Sequence, residues 1–239
     1  MTEQKPTVVL VHGAFAESAS WSGVVEQLQA KSWDVVAVAN PLRGLTGDAA
    51  YLRDVIAGIG KPVVLVGHSY GGMVITEAAA DLDLVRGLVY VAAFAPDHGE
   101  SALDLSNKFP GGTLGDALTA YPVATGGNEL ALQQDKFHHQ FAADVPAAQA
   151  AIMAVTQRPV TEAALTDGLP TKTPAWKSVP SWFVFGDSDL NVPLTALRFM
   201  AERASSKGTR EVAGASHAVG VSNPDTVATT ILDAVDALS

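Results

Sequence analysis

The chain has 239 residues, no cysteine, and a formal charge of −10 from 15 Lys and Arg against 25 Asp and Glu. Lack of thiols removes disulfide and cysteine chemistry, and the acidic balance disfavours nucleic acid and anionic membranes as partners. Hydrophobic residues make up 48% of the chain with no run long enough to span a bilayer, which fits one sizeable core and no second independent domain. Residues 1–6 are too short and polar a stretch for a signal peptide, so a cytoplasmic location is expected.

In chain order, residues 7–11 read as a buried strand running into His12-Gly13-Ala14-Phe15. Gly13 permits a backbone turn that a side chain would obstruct, and the N–H of Ala14, with that of Phe15 as fallback, becomes a candidate oxyanion donor. Taken alone, HGAF is also an ordinary glycine turn. Trp21, Val24, Val25 and Leu28 fall at helical spacing within residues 19–31, and residues 34–39 form the next strand. A loop rich in turn formers covers residues 40–47, and Leu52, Val55, Ile56 and Ile59 mark another helix.

Residues 63–66 read as a fully buried strand, followed by Gly67-His68-Ser69-Tyr70-Gly71 and a helical segment carrying Met73, Ile75 and residues 78–80, all alanine. A serine on a sharp strand-to-helix turn needs neighbours without side chains two residues to either side, which Gly67 and Gly71 provide. Such a turn lifts the hydroxyl above the sheet edge and aims the first helical N–H groups, that of Tyr70 included, at a developing negative charge. Ser69 is therefore the candidate nucleophile. A serine hydroxyl is weak at neutral pH, so a base and an acid to orient it must lie downstream.

Residues 85–93 give a further strand, after which strand patterning stops between Pro96 and Val179. Helical segments at 129–141 and 145–156 stand among the breakers Pro110, Gly111, Gly112, Pro122, Gly126 and Gly127. This is expected to be a helical cap at 97–178, inserted into a core of 1–96 and 179–239 and lying over the Ser69 turn. Phe15, Phe94, Leu105, Phe109, Phe137, Phe141 and Trp176 are candidate pocket walls, although each one taken singly more readily packs the cap's own core. Adjacent His138 and His139 diverge by about 100° on a helix and have no carboxylate at ligand spacing, so no metal or other cofactor is expected.

Residues 181–185 are the penultimate strand, and the loop that follows holds Asp187 and Asp189. Asp189 is the preferred acid, because Asp187 lies against the strand end where it can brace the turn. Asp97 and Glu100, after the earlier strand, are the alternatives. A short strand at 209–212 precedes His217 in GASHAV. Of the six histidines, His12 sits on another loop, His68 points away along the turn, and His98, His138 and His139 follow no strand. His217 is left as the base.

Together, VLVHGAF, GHSYGG, GDSDLNVP and GASHAV resemble, in order, the oxyanion loop, nucleophile turn, acid loop and histidine loop of the α/β-hydrolases. The likeness runs over essentially the whole chain, and within the family the compact N-terminus and the GHSYGGM turn are similar to those of small bacterial esterases and of the plant methylesterase and hydroxynitrile lyase branch. It implies an α/β fold with a mostly parallel sheet of about six strands, the family's usual leading antiparallel hairpin being absent. It implies Ser69 as nucleophile, Asp189 as acid, His217 as base, and Ala14 with Tyr70 as oxyanion hole. Gly13 and Ala218 stand where the hydroxynitrile lyases carry threonine and lysine, which disfavours cyanohydrin cleavage. Ser69 replaces the aspartate nucleophile of the dehalogenases and epoxide hydrolases, which points to acyl chemistry. The expected function is cleavage of small carboxylic esters through an acyl-enzyme. The alternatives are a cofactor-free perhydrolase or haloperoxidase, a lyase at the same site, and a receptor that holds a small ligand unchanged. Oligomeric state is not encoded legibly.

Overall fold

A computed structural model describes residues 5–238. Six strands form the main sheet: β1 (Thr7–Val11), β2 (Val35–Val38), β3 (Val63–His68), β4 (Val85–Val91), a later strand Ser181–Gly186, and a last strand Gly208–Val212. All five neighbouring pairs are parallel. Every residue of β1 and of β3 is buried, as the unbroken Val and Leu runs require of strands covered on both faces.

Helices supply that cover. The helices α1 (Ser22–Ala30), α2 (Leu45–Ile59) and α3 (Gly71–Ala78) follow β1, β2 and β3 in turn. α3 is the most deeply set, with Met73, Val74, Ile75 and Ala78 buried. Its small residues let it approach the sheet: a Cβ added at Gly72 would stand 2.2 Å from the Phe94 carbonyl oxygen.

Between β4 and the strand at Ser181 lies the inserted region. It holds α4 (Ala102–Asn107), β5 (Leu118–Pro122), β6 (Asn128–Leu132), α5 (Gln134–Phe141), α6 (Ala147–Thr156), β7 (Val160–Thr161) and α7 (Glu162–Thr166). Helices dominate it, but residues 129–132, expected to begin a helix, are strand, and β5, β6 and β7 form a three-stranded antiparallel sheet. The physical reason is the turn. Gly126 and Gly127 take φ of +94° and +77°, which closes a hairpin and pairs Leu118 with Leu132. Ladder pairing then overrides the helix preference of Glu-Leu-Ala-Leu. The chain returns through β8 (Ser181–Gly186), α8 (Leu194–Arg203), β9 (Gly208–Val212), α9 (Val219–Ser222) and α10 (Pro224–Asp236).

Strand order is β2-β1-β3-β4-β8-β9. The chain winds outward from β1 to β2, then crosses back to place β3 on the other flank of β1. A crevice opens at such a reversal, outside the carboxyl ends of the two strands. Because all six strands run the same way, the loops after β1, β3, β4, β8 and β9 emerge on one edge. Among the described residues no helix is long and apolar enough to cross a membrane.

Candidate active site

The turn after β3 is as tight as its glycines suggest. Ser69 takes φ of +53°, a left-handed conformation that costs a non-glycine residue about 1–2 kcal/mol. Surrounding contacts hold it there. The Ser69 N–H donates to Val91 O at 3.2 Å, while its carbonyl accepts from Gly72 N at 2.9 Å and Phe94 N at 3.2 Å. A Cβ on Gly67 would lie 2.6 Å from the Gly71 carbonyl oxygen, and one on Gly71 would lie 2.4 Å from that of Val11. Gly72, unremarked in the sequence, is constrained equally by its approach to Phe94.

His217 and Asp189, 28 residues apart, meet on the same edge: Nδ1 of the imidazole lies 2.7 Å from Oδ2 of the carboxylate. Both side chains are buried. Asp189 Oδ1 accepts from the N–H groups of Asn191 and Val192 at 2.8 and 2.9 Å, so both carboxylate oxygens are engaged. Asp187 does the bracing expected of it, accepting at 2.7 Å from Gly214 N in the loop that carries His217. Asp97 and Glu100 are committed elsewhere, to Lys177 and Arg203. Among the described residues no hydrogen bond joins the Ser69 hydroxyl to His217, although both side chains line one cavity. Unliganded sites commonly hold such a pair loosely until substrate arrives.

Gly13 sets the approach of the first loop. A Cβ there would stand 2.6 Å from Ser69 Cβ, 2.7 Å from His68 O and 3.2 Å from Tyr70 N. The loop after β1 thus packs directly on the Ser69 turn, with Gly13 against the Tyr70 N–H and Ala14 on the same cavity wall as Ser69. No hydrogen bond to the N–H of Ala14 or of Tyr70 is present among the described residues. Phe15, the fallback donor, is spent: its N–H donates to Arg158 O at 3.1 Å in the inserted region. The Tyr70 hydroxyl donates to Asp48 Oδ2 at 2.8 Å, which anchors the residue from the far side. Burial raises the Asp48 carboxyl above its ordinary range despite donors from Arg43, Gly44 and Tyr70. Gly13→Ala is expected to fold yet lose about a hundredfold in kcat, as its methyl pushes the Ala14 N–H away from the Tyr70 N–H. Ester turnover checks this beside a circular dichroism spectrum that stays native and a melting temperature lowered by the overlap, which costs about 1–3 kcal/mol.

Two further histidines hold the site together as neutral rings. His12 Nε2 accepts from Asn40 N at 3.0 Å while Nδ1 lies 3.0 Å from Gly13 O, so the proton belongs on Nδ1 and the ring clamps the first loop. Burial drives the pKa of His12 down to about 4. His68 Nε2 lies 3.0 Å from the His217 carbonyl oxygen, and burial with the neighbouring His217 ring takes His68 to about 3. A histidine that protonates less readily when folded makes the unfolded state bind more protons. Stability is therefore expected to fall as pH drops from about 6.5 toward 4, by on the order of 3 kcal/mol for each ring. Asp48 opposes this more weakly at the acid end. Chemical unfolding at pH 7 and at pH 4.5 measures the loss, and equal stability at both values contradicts it.

The cavity has a volume of about 300 Å³. The core contributes Ala14, Phe15, Phe94 and Val192, and the inserted region contributes Leu114, Leu118, Leu130 and Leu165. Apart from His217, Glu162 is the one ionisable side chain among the residues lining it, and no Lys or Arg is among them. Phe15 and Phe94, candidate pocket walls from the sequence, line this cavity. Phe137 and Trp176 are not on this wall. Phe137 stacks on Phe141 with centroids 5.0 Å apart, and the Trp176 indole N–H donates to Pro96 O at 2.7 Å. Both pack the inserted region and its seam with the core, the competing role open to any aromatic at helical spacing. Leu118 and Leu130 take their place, and the Gly126-Gly127 hairpin was the signal that would have found them.

A model of the family described as "Alpha/beta hydrolase family" matches residues 8–230. An alpha/beta hydrolase of Aspergillus novofumigatus is 29% identical, the match covering 96% of each chain. A carbendazim hydrolyzing esterase of Nocardioides sp. is 36% identical over 113 residues, which span 42% of this chain and 47% of that one. In structure, polyneuridine aldehyde esterase superposes with a TM-score of 0.82 at 21% identity, over 96% of this chain and 99% of the other. Strand order, the reversal between β1 and β3, the turn at Ser69 and the buried His217–Asp189 pair stand together with that match over residues 8–230, and the chain belongs to the alpha/beta hydrolase family.

Proposed function

We propose that this protein is a serine hydrolase that cleaves small carboxylic esters through Ser69, His217 and Asp189. The observation that carries the reading is the buried 2.7 Å bond between His217 Nδ1 and Asp189 Oδ2 beside a serine held at φ of +53°. That bond keeps a proton on Nδ1 and leaves Nε2 with the lone pair a general base needs. As Ser69 Oγ adds to the ester carbonyl, its proton passes to Nε2 and the imidazolium is stabilised by the Asp189 carboxylate. The carbonyl oxygen, now negative, accepts from the N–H groups of Ala14 and Tyr70, each contributing about 2.7–4 kcal/mol. Collapse breaks the C–O bond to the alcohol, which leaves with the proton from His217. Water then adds to the acyl-enzyme by the same route, giving up its proton to His217, and the acid departs as Ser69 recovers its hydrogen.

The cavity supports esters of modest size without a carboxylate, since its wall offers an anion no cation. Two of the similar proteins bear esterase names, which supports acyl-ester chemistry here. The test is a panel of p-nitrophenyl esters of increasing acyl length, run beside a fluorophosphonate probe. Turnover that peaks at a short or medium acyl chain, with labelling of the wild type and none of Ser69→Ala, is the expected result. Ligand binding without turnover or labelling would move the protein to the receptor reading.

A further inference from the structure

Asn191 contributes a polar side chain to an otherwise mostly apolar stretch of cavity wall, and its orientation is fixed by an argument independent of the catalytic residues. It is buried, lines the cavity, and comes two residues after Asp189. Gln140 of α5 reaches it from behind: Gln140 Nε2 donates to Leu190 O at 3.0 Å and to Asn191 Oδ1 at 2.8 Å. A backbone carbonyl can only accept, so the end of Gln140 that faces Leu190 must be its NH2 group. That NH2 also meets Asn191, whose oxygen must therefore be turned toward it. Thr113 closes the chain by donating its hydroxyl to Gln140 Oε1 at 3.0 Å. Each member is locked by the next, and the amide nitrogen of Asn191 is left over.

That nitrogen has no protein partner among the described residues, and it is not sealed in protein as the orphaned Asn40 Oδ1 and Trp21 Nε1 are. Water can pair with such a donor in the open cavity, but a substrate that displaces the water without offering an acceptor strands it at a cost. We propose that Asn191 is a specificity residue which donates a hydrogen bond to a second oxygen of the substrate, an ether or ketone oxygen set apart from the scissile ester. The inference rests on the ester-hydrolase reading above and narrows it to neutral esters that carry an additional acceptor in one of their halves. A hydrocarbon ester fills the same cavity but strands the donor.

The test compares p-nitrophenyl hexanoate with its 3-oxa, 4-oxa and 5-oxa analogues, and hexyl butyrate with 2-propoxyethyl butyrate. The first set places the oxygen in the acyl half and the second in the alcohol half. Each kcat/KM is divided by the rate of alkaline hydrolysis, so that inductive activation cancels. In the wild type at least one oxygen position is expected to be preferred about tenfold, and Asn191→Leu is expected to bring that ratio near one. Damage to the triad slows both members of a pair alike and leaves the ratio intact, so a ratio that persists in Asn191→Leu overturns the proposal. So does a wild type that cleaves every ester without preference. If Asn191→Leu fails to fold, Gln140→Leu, which unlocks the amide from outside the cavity, must lower the ratio about threefold or the proposal falls. If no ester turns over and the fluorophosphonate probe does not label, the hydrolase reading fails instead. The same pairs are then compared by calorimetric Kd, where loss of the preference in Asn191→Leu supports the amide contact and its persistence overturns it.

Discussion

Ser69→Ala is expected to lower kcat by about six orders of magnitude while the protein still folds. In the proposed mechanism the Ser69 hydroxyl supplies the attacking oxygen, and the other hydroxyls on the cavity wall, Ser106 and Thr166, belong to α4 and α7 of the inserted region. What remains is the residual acceleration that an oxyanion hole gives to attack by water. The side chain itself makes no hydrogen bond among the described residues, so its removal leaves no partner stranded. Melting temperatures of the two proteins should agree within a degree or two. The backbone sets a second expectation: Ser69→Gly should be more stable than Ser69→Ala by about 1 kcal/mol, because φ of +53° is unstrained only for glycine. If alanine and glycine variants melt together, the turn is not under strain. If Ser69→Ala retains more than a thousandth of the activity, the nucleophile is elsewhere.

Asp189→Asn should cost about four orders of magnitude in kcat, and hydrogen bonding dictates why. Oδ1 of Asp189 accepts from two backbone N–H groups, Asn191 and Val192. An asparagine in its place must turn its oxygen toward those donors, which points its NH2 at His217 Nδ1. Two donors cannot face each other, so the ring shifts its proton to Nε2 and loses the lone pair that would deprotonate Ser69. The substitution alters almost no volume, and the loss should appear in kcat rather than KM. A pre-steady-state measurement separates the steps: acylation slows and no burst of p-nitrophenol appears. An Asp189→Asn variant within a factor of ten of the wild type would mean that Asp189 does not orient the base.

The core of the sheet was legible because each strand is a short apolar run bounded by turn formers, as in Val63–His68, and because the helices between them repeat their large residues at helical spacing. Ser69, Asp189 and His217 were legible for a different reason. Each sits at a strand end whose loop composition is restricted by sterics, which leaves glycine or small residues as a local mark. The cavity wall had no such mark. Leu118 and Leu130 reach it only through hairpin pairing, and Phe137 faces the packing of α5 instead, a choice that the residues around it in space make and its sequence neighbours do not. Asn191 was hidden in the same way. Its orientation depends on Gln140, 51 residues earlier, and on a carbonyl that no pattern in the sequence advertises.

One-way alignment of the six strands carries a consequence for synthesis. A ribosome delivers residue 69 when the partners at 189 and 217 do not yet exist, and β8 and β9 must add to the far edge of a nearly finished sheet before they can arrive. An unfinished or clipped polypeptide therefore exposes the hydroxyl without any means to ionise it. On the proposed mechanism, partly made copies are therefore inactive until β8 and β9 have joined the sheet.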